Sequence, residues 1–248
     1  MDEGNEMQAQ KGAGRGLKSL DRFSGPLSGR VYLVLKDAIL SLAYRPGEIL
    51  RKGEICETLG VSRSPVSEAV ARLAGEGLVD VVPQAGTFVS RFSMAEIREG
   101  AFLREALEVA AVEKVARSLS EAELVLLRRN LRVQEALVED ADFEGFYQTD
   151  AQMHALILSF TGYKRLAALA ESAWVQVNRA RHLILPSPGR IQETIIEHKK
   201  IVDALGAHNP RLARRATREH LRQLIQHLEP LERDRPELFQ PADHSGKR

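Results

Sequence analysis

The chain has 248 residues, of which 44% are hydrophobic and 28% are charged, with a formal net charge of +1. This length fits one large domain or two smaller ones, and the near-zero charge means that any DNA binding depends on where the basic residues are placed. The sequence has neither a hydrophobic signal core nor an apolar run of the roughly 18–20 residues that span a membrane, which predicts a cytoplasmic protein without a membrane partner.

In the first third of the sequence, residues typical of helix ends and turns indicate short helices followed by a hairpin. Residues 1–24 lack periodicity and are expected to form a disordered tail. Helical patterns follow from about residue 26, then in "RKGEICETLG", and then in "SPVSEAVARLAGEG", where Ser64 is the expected N-cap and Gly77 the expected end. Two β-rich runs surround a Pro-Gln-Ala-Gly turn in "LVDVVPQAGTFV". This order predicts a winged helix-turn-helix over residues 25–92.

The remainder of the sequence has helical periodicity. Helices are predicted near 94–118, 120–139, 142–161, 163–184, 188–207 and 210–228. Ser120 and Glu123 have the spacing of a capping box, and Asn209 precedes a proline as a helix N-cap does. Short connections favour antiparallel neighbours. The predicted fold class is therefore mainly α, with the winged domain followed by an all-α six-helix bundle over 96–231 and a polar tail over 232–248.

Polar residues interrupt the apolar stripes of three predicted helices. Asp150 and His154 lie one turn apart on the helix face that should point to the core. His198 and His220 each occupy an inward-facing position on one of two later helices. Positions i and i+4 lie about 6 Å apart on one helix face, which suits two ligands of one ion. One such histidine is more often a hydrogen-bonded core residue, but three with an aspartate favour a divalent metal: zinc, nickel or manganese. The single cysteine, Cys56, excludes a cysteine-rich zinc site.

Both halves of the chain resemble a known protein family. The stretch "LGVSRSPVSEAVARLAGEGLV", followed by "GTFV", is similar to the winged-helix domain of the GntR family of bacterial transcription regulators. The segments "LREALE", "DAQMH", "EHKKIVDAL" and "ARRATREHL" are similar to the FCD effector domain of the FadR subfamily, and the resemblance covers about residues 27–230. Many FCD domains bind a divalent metal through these positions, which implies Asp150, His154, His198 and His220 as ligands here.

The winged-helix pattern gives a set of residues expected to contact DNA. Arg63 lies at the start of the recognition helix, whose N-terminal residues reach base edges in the major groove. The family commonly has arginine where this chain has Ser67, and one short hydroxyl cannot replace a bidentate guanine contact, so the half-site need not be the usual one. Arg72 is equally well explained as a solvated surface charge, and Gly86 is expected to serve the wing turn. The predicted set is Arg63, Ser64, Ser67, Arg72, Gly86 and Thr87.

Charge balance and the resemblance also predict two further partners. Residues 25–92 have eight basic and seven acidic side chains, so one copy should bind DNA weakly, whereas a homodimer would place two recognition helices on a palindromic operator. Arg104 stands where family members often have an arginine facing the effector pocket; the alternative is an i, i+4 salt pair with Glu108. A six-coordinate ion with four protein ligands would leave two positions for a small carboxylate, whose other end Arg104 would bind.

The favoured interpretation is a dimeric, metal-containing transcription regulator, a repressor rather than an activator, whose operator affinity responds to a small carboxylate. Two alternatives stay open. Four protein ligands also satisfy a tetrahedral zinc site, so the metal of such a regulator would then be purely structural. Histidines and a carboxylate on a metal also describe a metal-dependent enzyme, here fused to a DNA-binding domain. The sequence has no obvious general base beside the site, which disfavours the enzyme.

Overall fold

The structure is a computed structural model that describes residues 16–187 and 189–241. Residues 1–15 and 242–248, which belong to the two predicted tails, lie outside this range. Pro188, the first residue of the helix predicted over 188–207, also lies outside it. The chain divides into two compact units. Among the described residues, the first contains 16–92 together with 236–241, and the second is Ser93–Arg235. Within the described ranges, no helix combines the length and the apolar character that a membrane span needs.

The first unit is a three-helix arrangement with a two-stranded hairpin. Its elements are α1 (Leu27–Leu40), α2 (Lys52–Leu59), α3 (Arg63–Gly75), β1 (Val79–Val82) and β2 (Gly86–Val89). The strands pair antiparallel from Val79 opposite Val89 to Val82 opposite Gly86, which confirms the predicted hairpin. Gly86 has φ +134° and lies directly after the turn, where a side chain would be strained, so its conformation explains the glycine.

Helix α3 begins one residue before the predicted N-cap. Ser62 occupies the N-cap position and Arg63 is the first helical residue, so the prediction of Ser64 as N-cap is wrong. Pro65 then falls at the third helical position, where its missing N–H is harmless because the first N–H groups of a helix have no intrahelical partner. Gly60, at φ +63°, ends α2 in the left-handed conformation and makes the turn between the two helices.

A polar cluster joins α1 to the C-terminal end of α3. The Tyr32 hydroxyl donates to Glu76 Oε1 at 2.6 Å, and Lys36 Nζ lies 2.8 Å from Glu76 Oε2. The Arg72 guanidinium stacks over the Tyr32 ring, 3.6 Å from its centroid. Charge-assisted bonds of this kind, together with the apolar contact between the two helices, fix the orientation of α3 within the unit.

Both predicted tails contain ordered residues that belong to the first unit. Residues 20–22 form a 3-10 turn, and Lys18 is 3.0 Å from Asp37 of α1. The Phe92 N–H donates to the Leu238 carbonyl at 3.0 Å, and the Gln240 N–H donates to the Phe92 carbonyl at 2.8 Å. The prediction of a polar tail from residue 232 is therefore wrong for the described part, because Phe239 is largely buried against Phe92.

The second unit is an all-α bundle. Its helices are α4 (Met94–Ser118), α5 (Glu121–Glu139), α6 (Phe143–Phe160), α7 (Leu166–Ala173), α8 (Val175–Ile184), α9 (Arg190–Gly206) and α10 (Pro210–Asp234). The capping box of Ser120 and Glu123 is present, and the Asn209 side chain accepts a hydrogen bond from the Leu212 N–H at 3.1 Å, as predicted for both starts. An apolar core joins α4, α5, α6, α9 and α10.

Two predicted helix bounds are wrong. The helix predicted over 163–184 is divided at Trp174, which has φ −105° and ψ +7°, so α7 and α8 are separate. The apolar periodicity continues across this residue and gave no sign of the break. The last helix continues past Pro230 to Asp234, because a proline in a helix forfeits its own N–H bond but leaves the other bonds of that turn available.

Candidate functional site

Three buried histidines from different helices meet inside the second unit. His154 of α6, His198 of α9 and His220 of α10 have ring centroids 4.7–5.5 Å apart. One ligand nitrogen of each ring can be chosen so that all lie within 4.8 Å of one another. Each histidine lies on the stripe that carries the apolar core of its helix. The bundle therefore brings together the three histidines that the sequence pattern had placed on separate stripes.

Each histidine ring is oriented by a hydrogen bond at Nδ1. The acceptor of His154 is Glu108 Oε2 at 2.6 Å, and that of His198 is Gln134 Oε1 at 2.7 Å. His220 Nδ1 lies 2.7 Å from an oxygen of Glu197. An oxygen acceptor places the proton of a neutral imidazole on Nδ1 and leaves Nε2 as a lone pair, which is the arrangement found behind metal-bound histidines.

Asp150, the fourth predicted ligand, lies beside His154, but among the described residues the group of mutually close ligand atoms contains only the three histidines. Its carboxylate is fully buried, with Oδ1 3.3 Å from His154 Nε2 and Oδ2 in an ion pair with Arg181. Burial opposes ionisation, but the Arg181 guanidinium holds the pKa of Asp150 well below its ordinary value. Within the described part of the chain, Nε2 of His154 and Nε2 of His198 have no hydrogen-bond partner, and Asp150 Oδ1 has none apart from its approach to His154. Unsatisfied buried acceptors of nitrogen and oxygen type fit zinc, nickel or manganese, so the residues present fit a metal.

Each carboxylate of the site forms an ion pair with an arginine. Arg104 Nε donates to Glu108 at 2.6 Å, and Arg190 binds both oxygens of Glu197 at 2.7 and 2.8 Å. Arg181 forms an ion pair with Oδ2 of Asp150. Three guanidinium groups thus balance three carboxylates around three imidazoles, and the site without a metal is close to neutral when the imidazoles are neutral.

Sequence reasoning had missed most of these supporting residues. Glu108 was considered only as a salt-pair partner of Arg104, and Arg181 was not among the predicted site residues. Glu197 directly precedes His198 in the sequence, and nothing in that adjacency indicates that it binds a different histidine. Gln134 did carry a signal, because it interrupts the apolar stripe of α5 at helical spacing from Leu127.

The buried ionisable groups make the site sensitive to acid. Burial holds the pKa of His198 well below its ordinary 6.5 and also lowers the pKa of His220. Burial opposes ionisation of Glu108 and Glu197 as well, but Arg104 and Arg190 lower the pKa values of these two carboxyls below 4.5. All four groups therefore bind protons less readily in the folded chain than in the unfolded chain.

Protein treated with a chelator is expected to lose stability as the pH falls. The stability contribution of the histidines is complete above the unfolded pKa of 6.5 and declines below it, and the carboxylates add to the loss below 4.5. Urea unfolding at a series of pH values would measure this decline. A His198→Gln, His220→Gln double variant should show a shallower decline between about pH 7 and 5. Equal slopes in both proteins would contradict the assignment.

A cavity of about 230 Å³ adjoins the histidine cluster. Its lining includes Arg104, His154, Trp174, Asn178 and Arg181. A second space of about 20 Å³, enough for one water or ion, is lined by groups that include Asp150, Arg181 and His220. Arg104 is only 4% exposed, and it both pairs with Glu108 and lines the cavity, so the two alternatives stated for it are compatible.

The residues predicted to contact DNA differ in their accessibility. Arg63, Ser64 and Ser67 are exposed at the N-terminal end of α3, opposite its buried apolar face. Arg72 is 61% exposed at its side chain but is engaged with Tyr32 and Glu76. Gly86 lies directly after the wing turn. Thr87 is only 7% exposed, because alternate residues of β2 face the interior, so a DNA contact through its side chain is not supported.

Comparison with known families assigns both units. Residues 27–89 match the family described as "Bacterial regulatory proteins, gntR family", and residues 99–223 match the FCD domain. The solved structure of Escherichia coli McbR/YncC has the same fold, with a TM-score of 0.72 and 24% identity over 84% of this chain and 99% of that chain. A GntR transcriptional regulator of Rhodococcus sp. RHA1 gives a TM-score of 0.71 at 26% identity over 82% and 97%.

Two curated relatives each match more than four fifths of the chain. One is the uncharacterized HTH-type transcriptional regulator in an unstable DNA locus of Streptomyces ambofaciens, 35% identical over 84% of this chain and 88% of the relative. The other is the HTH-type transcriptional repressor RspR of Escherichia coli, 27% identical over 86% and 94%. These relatives are regulators and not enzymes, which overrules the alternative of a metal-dependent enzyme. The chain belongs to the GntR family of bacterial transcription regulators, in its FadR-like subfamily, and is a DNA-binding regulator with an FCD domain.

Proposed function

We propose that this regulator acts as a homodimer in the cytoplasm and represses its target genes from a palindromic operator. A small carboxylate that binds at a divalent metal in the helical unit releases the operator. One observation carries the proposal: three inward imidazoles, each with Nδ1 on an oxygen acceptor, adjoin a cavity that two arginines line.

The metal ligands in this proposal are Asp150, His154, His198 and His220. Glu108, Gln134 and Glu197 would hold the three rings in the tautomer and orientation that binding requires. A bound zinc, nickel or manganese ion would supply a Lewis-acidic anchor for an oxygen of the effector. The buried acceptor atoms without a donor support this ligand set.

The charge of the site argues for an anionic effector. Three carboxylates and three guanidinium groups cancel, so a divalent ion leaves two positive charges in a buried place. A carboxylate would reduce this excess, whereas a neutral sugar would not. The cavity of about 230 Å³ fits a small molecule, and Arg104 and Arg181 in its wall would bind the end of the anion that does not contact the metal.

The DNA part of the proposal concerns the exposed end of α3. Arg63, Ser64 and Ser67 are accessible there, and in a helix-turn-helix this end contacts bases in the major groove. Two copies would present two such helices to a palindrome. The name of the relative RspR, a repressor, supports repression over activation. An effector that prefers one arrangement of the dimer changes operator affinity by the same coupling energy, typically about 1–3 kcal/mol.

A panel of small carboxylates tests the proposal. The operator is first selected from random duplexes, and zinc-loaded protein is then titrated with each acid in calorimetry and in gel shifts. At least one carboxylate should bind and weaken operator binding by roughly 5- to 150-fold in the wild type. Arg104→Ala and His198→Ala should lose this response. Arg98→Ala is the matched control, because Arg98 is on the same helix but forms a half-exposed pair with Glu229 outside the site.

The outcomes separate the proposal from its rival. A carboxylate that binds and releases DNA equally well in all variants would contradict the proposed effector site. Bound metal with no response to any carboxylate would favour the regulator whose metal is purely structural, since four protein ligands complete a tetrahedral zinc site.

A further inference from the structure

Arg181 lies between the candidate metal ligands and the larger cavity. Its guanidinium forms an ion pair with Asp150, and its side chain is only 11% exposed. It lines the space of about 20 Å³ beside Asp150 and His220, and it also lines the cavity of about 230 Å³ together with Arg104. Arg104 and Arg181 both border the place where an ion would be held and the place where a carboxylate would be held, but Arg104 pairs with Glu108 whereas Arg181 pairs with the candidate ligand Asp150.

Asp150 needs a cation whether or not a metal is present. Its carboxylate is fully buried, and a buried charge without a partner is strongly unfavourable. In the structure, Arg181 supplies the compensating charge. If a divalent ion also bound this carboxylate, three positive charges would face one negative charge at short range. The guanidinium and the ion therefore compete for Asp150.

Helix α8 has a second contact with α6 besides the Arg181 pair. The neighbouring His182 stacks on Tyr147 of α6, with ring centroids 3.9 Å apart. A long arginine side chain can change rotamers while the backbone stays in place. Asn178, one turn earlier on the same face of α8, lines the larger cavity. A guanidinium that leaves Asp150 therefore has the cavity beside it.

We propose that Arg181 neutralises Asp150 until a divalent ion binds, that the ion displaces the guanidinium, and that the displaced guanidinium then binds the carboxylate together with Arg104. This inference rests on the proposed function, because it takes Asp150 as a metal ligand. It makes Arg181 the residue that couples the two events, since the ion sets free a donor that the anion uses. Metal and carboxylate then bind with positive cooperativity.

Zinc binding without any carboxylate gives the most direct test. Affinity is measured in competition with a chromophoric chelator for the wild type, Arg181→Gln and Arg181→Lys. Arg181→Gln removes the competing cation and is expected to bind zinc roughly tenfold more tightly. Arg181→Lys keeps a cation beside Asp150 and should stay close to the wild type. If Arg181 only stabilised the structure, Arg181→Gln would instead bind zinc more weakly than the wild type.

Thermal melting provides a second readout. Metal-free Arg181→Gln leaves Asp150 without its partner and should melt earlier than the wild type, while added zinc should raise its Tm by more. If this variant does not fold without metal, folding restored by zinc supports the inference, because zinc then supplies the positive charge that Asp150 has lost. A zinc-induced Tm shift no larger than that of the wild type would count against it.

Two further variants control for charge alone. Arg104→Gln and Arg190→Gln each remove one positive charge from the same site, but these arginines pair with Glu108 and Glu197 and not with Asp150. Neither should gain zinc affinity as Arg181→Gln does. Equal gains in all three, or no gain in Arg181→Gln, would overturn the role of Arg181 and leave the proposed function standing. Zinc binding absent from every protein, the wild type included, would overturn both.

Discussion

Replacing His198 by alanine is expected to remove nearly all bound divalent metal. The substitution deletes a candidate ligand nitrogen and removes the hydrogen-bond partner of Gln134 Oε1, in a place where His198 is fully buried. Loss of a supporting residue alone typically costs 10- to 100-fold in metal affinity, so loss of the ligand should cost at least about a hundredfold. Elemental analysis after gel filtration should find about one metal per chain in the wild type and little in the variant.

Two matched variants define how this loss is interpreted. Gln134→Leu keeps the imidazole but removes its acceptor, so an intermediate loss is expected. His208→Ala removes a histidine outside the cluster, whose Nδ1 lies 3.1 Å from the Ala116 carbonyl, and should keep its metal. Stoichiometric metal in His198→Ala would show that the ligand set is wrong. Absence of metal from the wild type, with no thermal shift on adding zinc, nickel or manganese, would refute the site itself.

Replacing Arg63 by alanine is expected to weaken specific operator binding by about 1–3 kcal/mol, or roughly 5- to 150-fold. Arg63 is the first residue of α3 and is exposed, so its guanidinium can reach a base edge bidentately. Arg63→Lys keeps the charge but loses the bidentate geometry, and should therefore lose sequence preference more than nonspecific affinity. Binding to the selected operator and to a scrambled duplex, each over a range of salt, measures the two effects separately.

Arg72→Ala is the informative comparison on the same helix. Arg72 stacks on Tyr32, so its loss should lower the stability of the first unit more than it changes base preference. If Arg63→Ala binds operator and scrambled DNA as the wild type does, the N-terminal end of α3 does not read bases. The expected change of half-site at Ser67 would then lose its basis, because Ser67 lies at the same end of α3.

The sequence predicted the parts of the structure that local patterns encode. The capping box at Ser120, the hairpin around the Pro-Gln-Ala-Gly turn and the stripes that carry His154, His198 and His220 each follow from residue type and spacing over a few turns. These patterns indicate which side of an element faces inward. They led to the four candidate ligands because a polar residue on an inward stripe requires a partner.

What was missed at the candidate site depends on contacts between residues far apart in sequence. Gln134 and His198 are separated by 64 positions, and Glu108 and His154 by 46. No local pattern states that these pairs meet, so the orientation of the imidazoles was not predictable. The break at Trp174 is similar, because the apolar periodicity on both sides is helical and the residue departs from it only in the packed bundle.

The return of residues 236–241 to the first unit has a consequence for dissecting this regulator. The DNA-binding unit is discontinuous in sequence, since one of its buried aromatic side chains, Phe239, is encoded after the whole helical unit. A fragment that stops at Phe92 lacks that side chain and the two backbone hydrogen bonds around it. A hybrid regulator built by exchanging effector domains must therefore be joined at two seams, one on each side of residues 93–235, and a single fusion point would bring a foreign segment against Phe92.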